Sequence, residues 1–473
     1  MVTDPRLPHF RPSRAILALE ELLCDVVAAA EFPQAILRYR NQAAAREVGL
    51  DPLSDGEWVQ HFGRFEPLNG SLCRPRALRY HGHQFRHYNP ELGDGRGFLF
   101  AQMLDSRGRL MDLGTKGSGT TPWSRRGDGR LTLKGAVREI LATEMLAALG
   151  VTTSRTFSVI ETGEALERGD EPSPTRSAVL VRLSHGHIRY GSFQRLAALE
   201  DDGGLAALTH YVLDHFADGA DRSSPYAALM DHAVAGAARL VAEWHVAGFV
   251  HGVLNTDNIN ITGESFDYGP WRFLPAWDMG FTAAYFDQFG LYAFGRQAEA
   301  LHWNLFQLAG ALKRVAPVDD LIPALKTWPE RVAANSRRQA LWRLGLEPQD
   351  EAADIALLMA WESALAASGV QPDRAWFDWR GGRRRQGYDG AAWAVFAEKV
   401  ADHPAVPGAL DHPYWADPAP CTMLIEEVEA LWRPIAEVDD WAPLNAKIAA
   451  IRRMGTAHLT SLQCPSQPSI LPS

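Results

Sequence analysis

HGVLNTDNINITGESFDYG, running from His251 to Gly269, carries one histidine, three asparagines and three acids in 19 residues, the last acid opening an Asp-Tyr-Gly. An apolar-patterned segment, AARLVAEWHVAGFV, runs directly into it. That order suits a helix delivering a polar loop into a site. Asparagine and carboxylate oxygens are hard ligands, matched to magnesium and a phosphate chain. Two hypotheses lead: a nucleotide-dependent phosphoryl or nucleotidyl transferase, and a catalytically silent domain that keeps the pocket for binding.

Protein kinases place H-R-D-x-x-x-x-N ahead of D-F-G. Here Asn258 follows His251 by seven positions, and Asp267-Tyr268-Gly269 stands in the place of D-F-G. Val253 occupies the position of the kinase catalytic aspartate, so the usual base is absent while the metal-binding pair remains. Asp257, beside Asn258, is the nearest carboxylate able to replace it. From these residues alone the chain is either an enzyme with a displaced base or a pseudokinase that binds nucleotide.

Upstream, LTLKGAVREILATEMLAALG (131–150) predicts a helix, with Leu133, Val137, Ile140, Leu141 and Met145 on one stripe and Gly150 as its stop. Glu139 and Glu144 are its acids. Either is a solvated helical charge, or one reaches Lys116, as in the strand-lysine and helix-glutamate pair of kinases. Lys116 ends the strand LMDLGTK, which a DSRGR turn joins to the strand in GDGRGFLFAQM. Glycines beside strands let backbone N–H groups approach an anion, although a plain antiparallel hairpin has the same pattern. TTPWSRRGDGR (120–130) is a charged loop, either closing over a ligand or lying on the surface. VTTSRTFSVIET and SAVLVRLSHGHIRYGSF (177–193) read as strands, with Arg182 and Arg189 flanking SHGH. Forked guanidinium groups there suit phosphates.

Residues 15–48 read as one or two helices, and 201–250 as mostly helical with a break near Gly248. PWRFLPAWDMGFTAAYFDQFG is loop-like, and helices follow to about 370. WFDWRGGRRRQGY reads as a basic turn with a solvated face, and the tail from 460 has little patterning. The expected organisation is a helical extension (1–74), a strand-rich lobe (75–200), a helical lobe with the catalytic loop (201–400) and a C-terminal extension (401–473). This is an α+β, bilobal, protein-kinase-like fold with a nucleotide cleft.

Composition agrees with a globular chain: 46% hydrophobic and 22% charged residues over 473 positions. A formal charge of −10 argues against nucleic acid or an acidic membrane as the main partner. No run reaches the apolar length of a membrane span, and MVTDPRLPHFRPSR has no apolar run after its charges, so no secretory signal is expected. The four cysteines, at 24, 73, 421 and 464, form no CxxC or zinc pattern, which points to a reduced, cytoplasmic setting.

GHQF (82–85), LGDGR (92–96), Lys116, TPWSRRGDGR (121–130), VREI (137–140), HIRYGSF (187–193), HGVLNTDN (251–258), DYGP (267–270) and YAFGRQ with HWNL (292–305) lie collinear in the chain. Together they resemble the selenoprotein O family, protein adenylyltransferases on a pseudokinase fold. The resemblance implies ATP bound in an orientation flipped relative to kinases and transfer of AMP to Ser, Thr or Tyr of a target protein. It implies Asp257 as general base, with Asn258 and Asp267 holding Mg²⁺ or Mn²⁺. It places Gly93, Gly95, Arg96, Asp128 and Gly129 at the nucleotide, Lys116 at its phosphates with Glu139 orienting it, and Arg182 and Arg189 on the outer phosphates. The chain also departs from the family pattern. Arg86 replaces the glycine after GHQF, and Thr120 replaces an arginine after the lysine. SHGH replaces an Ala-Glu-Ser-His run. FTAAYFDQFG replaces a Cys-Asn-His-Ser segment, which leaves Cys464 without the family's disulfide partner.

Overall fold

The computed structural model describes residues 6–169, 171–385 and 387–460; the tail expectation from 460 and Cys464 lie outside the described residues. Its strands are β1 (Arg11–Ser13), β2 (Cys24–Val26), β3 (Ile36–Arg40), β4 (Arg76–Leu78), β5 (Gly82–Gln84), β6 (His87–Asn89), β7 (Leu99–Leu104), β8 (Leu110–Lys116), β9 (Leu131–Thr132), β10 (Arg155–Leu166), β11 (Thr175–Ser184), β12 (Phe249–Val250) and β13 (Arg272–Phe273).

The β7–β8 hairpin behaves as its sequence predicts. Asp105 closes the turn by accepting from the backbone N–H groups of Arg107 and Arg109, each at 2.9 Å. Gly108 supplies the left-handed residue at φ +87°. Every residue of β8 is buried. Both faces of the sheet are therefore covered, and period-two alternation sorts the side chains. Phe98, Phe100, Met111, Leu113, Val179 and Val181 join one core with Trp58 and Phe62 of the helix Asp55–Gly63. Leu99, Leu110, Ala178 and Leu180 face the other core with the helix Leu133–Ala148. The full antiparallel order is β2-β4-β7-β8-β11-β10-β3, with β1 added to β7 and β9 to β11.

Two local expectations are overturned here. Residues 15–48 do not form one or two long helices: they contain the short helices Glu20–Leu23 and Gln42–Glu47, with β2 and β3 between them. ILRYR pairs with β10, as Tyr39 opposite Val159, and β2 pairs with β4. Sheet partners far away in sequence override local helix propensity. The strand expected over 177–193 ends at Ser184, and YGSF opens the helix Tyr190–Ala198. Gly186, at φ +87°, breaks the strand.

The second lobe is built on the buried helix Pro225–Ala247, which starts with proline and ends at left-handed Gly248, φ +65°. β12 leaves that helix and pairs with β13, so the polar loop between them is closed at its base. The helices Gln297–Leu312, Val318–Lys326, Trp328–Leu344 and Glu351–Ser368 complete the lobe, giving the bilobal α+β architecture. Two final helices, Ile425–Val438 and Ala442–Thr460, return to the first lobe. Lys134 meets Glu429 at 2.8 Å and Arg452 meets Glu144 at 2.6 Å. Among the described residues no helix is long and apolar enough to cross a membrane.

The basic turn after residue 376 is only in part a solvated face: Arg384 is exposed, but Arg380 is not. Arg380 is fully buried and lies 4.8 Å from the Trp415 ring. Its guanidinium donates to the carbonyls of Trp342 and Arg343, at the end of the helix Trp328–Leu344. The Trp342 carbonyl also accepts the C-cap Gly345 N–H at 3.1 Å, and the helix C-terminus favours a cation. Arg380→Ala strips a charged donor from buried carbonyls and is expected to cost about 3 kcal/mol. Urea denaturation, comparing midpoints at constant slope, checks it.

Candidate active site

Lys116 reaches the cleft from the end of β8, where it lies opposite Leu180 of β11. Its ammonium is paired with Glu139 and with Asp267 Oδ1, the latter at 2.9 Å. Glu139 projects from the helix that Thr132 caps by accepting from Gly135 N–H at 3.1 Å. Of the two helix acids, Glu139 thus meets the lysine, whereas Glu144 bonds Tyr39 and Arg452.

Asp267 takes a left-handed backbone, φ +63°. Burial alone would raise its carboxyl, but Lys116, Arg182, Arg96 and Arg189 together hold it well below the usual carboxylate range. Arg182 Nη1 lies 3.7 Å from Asp267 Oδ1 and has no hydrogen-bond partner of its own. Arg96 is exposed, and its carbonyl receives Gly117 N–H. Arg189 donates to Asp94 at 2.9 Å and stacks 4.1 Å from the Tyr80 ring centre. Four cations thus surround one aspartate.

The polar loop is tied to both lobes. His251 is buried and bonds the Phe266 carbonyl at 2.9 Å, holding the residue before Asp267. Tyr190 N–H donates to Ile259 and Ile261 N–H to Ile188, which zips the loop to the connection between lobes. Asn258 donates its amide N–H to the Val253 carbonyl at 3.1 Å, which leaves the amide oxygen as a ligand. Asp257 lies on the short 3-10 turn Thr256–Asn258 and is buried. Burial pushes its carboxyl up to about 6, against the opposing charge of Arg189. Its Oδ1 has no hydrogen-bond partner.

The β5–β6 hairpin lies over that turn. His83 N–H donates to Thr256 Oγ1 at 2.7 Å, and Phe85 N–H donates to Asn255 Oδ1 at 3.1 Å. A Cβ on Gly82 would stand 3.1 Å from Asp257 Oδ1, so glycine is needed for the hairpin to cover the carboxylate so closely. The glycines of LGDGR meet the charged loop: a Cβ on Gly93 would fall 2.3 Å from the Trp123 ring, and one on Gly95 2.8 Å from the Trp123 carbonyl. Gly129, at φ +70°, packs on Gly119 beside the lysine strand. Asp128 is not brought to the Lys116–Asp267 cluster; it pairs with Arg168 at 2.9 Å.

Several positioning groups were not singled out from sequence. Asp94 sits between the two glycines of LGDGR, accepting from Leu78 N–H and from Arg189. His187, in SHGH, accepts from Arg182 Nε at 3.2 Å and faces Asp112 at 3.2 Å through its other nitrogen. Acceptance at Nε2 assigns the proton to Nδ1. An aspartate between two glycines and a histidine between two candidate arginines were the available signals.

Asn258 and Asp267 offer hard oxygen donors suited to Mg²⁺, which commonly keeps waters and substrate phosphates as its other ligands. Among the described residues no cluster of three or more His, Cys, Asp or Glu side chains could hold a metal by itself. A cavity of about 1430 Å³ lies elsewhere, lined by Arg155, His232 and Glu264 among others. The cleft is assigned by its charge arrangement and its hydrogen bonds, not by volume.

Together the lobes, the paired strand lysine and the Asp-Tyr-Gly aspartate belong to the protein-kinase-like class. Comparison with known sequences narrows this. A family model described as "Protein adenylyltransferase SelO" matches residues 10–382. Proteins named "Protein nucleotidyltransferase YdiU" are similar over nearly the whole chain. The one from Gloeobacter violaceus is 43% identical, covering 93% of this chain and 94% of its own length. That from Trichormus variabilis is 40% identical over 91% and 93%, and that from Synechocystis 41% over 90% and 95%. The chain belongs to the SelO family of protein adenylyltransferases.

Two outcomes test this geometry. His187→Ala releases Arg182, and the KM for ATP is expected to rise roughly tenfold, since a hydrogen bond to a charged group is worth about 1.5–3 kcal/mol. His187→Gln, which keeps an acceptor, should recover most of it in steady-state assays. Glu264 accepts from His185 N–H at 3.0 Å in the loop leading to Asp267. Burial raises its carboxyl to about 7. The unfolded value is about 4.3, so folding favours the protonated form. That contribution is complete below the unfolded value and is lost as pH rises through about 7. Glu264→Gln should therefore gain in melting temperature relative to wild type between pH 5 and 8.

Proposed function

We propose that this cleft transfers AMP from ATP to a hydroxyl side chain of a protein, Ser, Thr or Tyr, with Asp257 as general base. The observation that carries the reading is the Asp257 carboxyl: buried, raised to about 6, with Oδ1 unpartnered. A carboxylate near neutrality whose oxygen no protein group claims is suited to taking a hydroxyl proton. The kinase position for that task is Val253, which has no titratable group.

In this reaction the hydroxyl oxygen bonds to the α-phosphorus while the α–β bridging P–O bond breaks. The bonding pair leaves with pyrophosphate, and the hydroxyl proton passes to Asp257. Lys116, Arg182, Arg189 and Arg96 bring positive charge to the phosphates, and Glu139 and His187 hold two of them in place. Mg²⁺, or Mn²⁺, would be held by Asn258 and Asp267 and would neutralise phosphate charge when bound. Gly93, Gly95, Asp128 and Gly129 would border the nucleotide through the Trp123 loop, with Asp128 leaving Arg168 to do so. Free thiols at Cys24, Cys73 and Cys421 and the use of ATP fit a cytoplasmic setting.

The test uses ATP labelled on either the α- or the γ-phosphate, with protein acceptors and Mg²⁺. Label from the α-position is expected on protein, and EDTA should abolish it. Asp257→Ala should lower transfer by about 10²–10⁴ while calorimetric ATP binding persists. Asp267→Ala should lose transfer and weaken binding. Transfer of the γ-label alone would make the protein a kinase. ATP binding without either product would make it a nucleotide-binding scaffold.

A further inference from the structure

The segment after Asp-Tyr-Gly presents large apolar side chains to water: Met279 at 47%, Tyr285 at 85%, Phe286 at 46% and Phe289 at 93% exposure. The segment is held in place. Asp287 is buried and accepts from the backbone N–H groups of Leu291 and Tyr292, both at 2.8 Å. Phe294 N–H and Gly295 N–H donate back to Phe281 and Met279. A pinned loop that keeps aromatic rings in water marks an interaction surface.

The patch is continuous with the loop that carries Asp257. Phe286 packs edge-on to Phe85 at 5.9 Å, and Phe85 contacts Tyr292 at 5.1 Å. Phe85 N–H and Tyr292 O–H both donate to Asn255 Oδ1, two residues before Asp257. Of the neighbouring charges, Glu299 bonds both Arg86 and Arg296, while exposed Asp278 accepts from Gly280 N–H. What the patch offers a partner is apolar.

We propose that this surface docks the segment of the acceptor protein that flanks the modified hydroxyl, and that it selects large apolar residues there. The inference rests on the adenylyl-transfer reading and adds the substrate class. At 150–250 Å² per aromatic side chain, the exposed area is roughly 500 Å². A stable dimer needs about 800 Å² per partner, so the area suits a partner that binds and leaves.

The test uses two fluorescein-labelled decapeptides with one central serine, flanked by leucines in one and by aspartates in the other. Fluorescence anisotropy should show the leucine peptide binding wild type at least tenfold more tightly. Tyr285→Ser with Phe289→Ser should erase that difference while leaving calorimetric ATP affinity within twofold. Both side chains are exposed, so the double variant is expected to fold, and circular dichroism checks it. Equal binding of the two peptides, or a preference that survives the double substitution, overturns the inference. So does a wild-type dimer in sedimentation that the double variant dissociates. In parallel, α-labelled ATP should label the leucine peptide more rapidly in wild type only. Apolar selection in binding without α-label transfer leaves the docking surface standing and refutes the adenylyl-transfer reading instead.

Discussion

One buried ammonium group organises this molecule. Lys116 comes from the sheet, Glu139 from a helix and Asp267 from the loop of the other lobe, and all three converge on a single charge. Desolvating such groups is expensive, and removing one partner of a buried pair typically costs 3–5 kcal/mol. Lys116 with two carboxylates still leaves an excess negative charge. Arg182, Arg96 and Arg189 answer it, as the depressed Asp267 carboxyl records. The second layer follows from the same need. Arg182 is held by His187 and Arg189 by Asp94, so that neither cation collapses fully onto Asp267. The resulting site is rich in cations whose carboxylate partners are already placed, an arrangement that welcomes a polyphosphate.

Holding Glu139 in position is also the work of the chain's last helices. Arg452 bonds Glu144 at 2.6 and 2.9 Å and Tyr39 at 3.1 Å, while Lys134 bonds Glu429. Glu144 lies five residues beyond Glu139 on the same helix, so the buried face and the brace fix one rotation of that helix. Half-exposed Arg452 would contribute little as a simple surface ion pair. Its value comes from Glu144 and Tyr39 being buried, where an unpaired carboxylate would be costly.

Much of this was legible in sequence because the decisive patterns are local. The β7–β8 hairpin, the Leu133–Ala148 helix and the Gly248 stop each carry their own periodicity and punctuation. The 251–269 loop shows its acids and asparagines at kinase spacing. β2 and β3 were not legible, since three- and five-residue strands are specified by partners at Leu78 and Val159 far along the chain. The basic turn was misread for a related reason. Arginine in a glycine-rich run normally means solvent, and only the carbonyls of a separate helix, at Trp342 and Arg343, make burial of Arg380 tolerable. Asp128 shows the converse: its motif was recognisable, but an arginine from a distant hairpin, Arg168, claims its side chain.

The placement of Asp257 also has a physical reason. At position 253 the side chain is Val, and that residue's carbonyl fixes Asn258. At 257 the carboxylate lies under β5, so closely that a Cβ on Gly82 would stand 3.1 Å from it. Covering the acid is what raises it toward neutrality. The cover has its own strain: Phe85 and Arg86, at φ +49° and +64°, form the two-residue turn of the β5–β6 hairpin, a conformation that favours Asn and Gly. A left-handed residue other than glycine costs roughly 1–2 kcal/mol. Arg86 offsets part of this through Glu299 at 2.9 Å and the Trp303 ring at 5.5 Å. An exposed ion pair is worth about 0.2–1 kcal/mol and a cation–π contact about 0.5–1 kcal/mol. The arginine that departs from the family's glycine therefore recovers part of the strain that its own backbone costs. It ties the β5–β6 hairpin over Asp257 to the helix Gln297–Leu312.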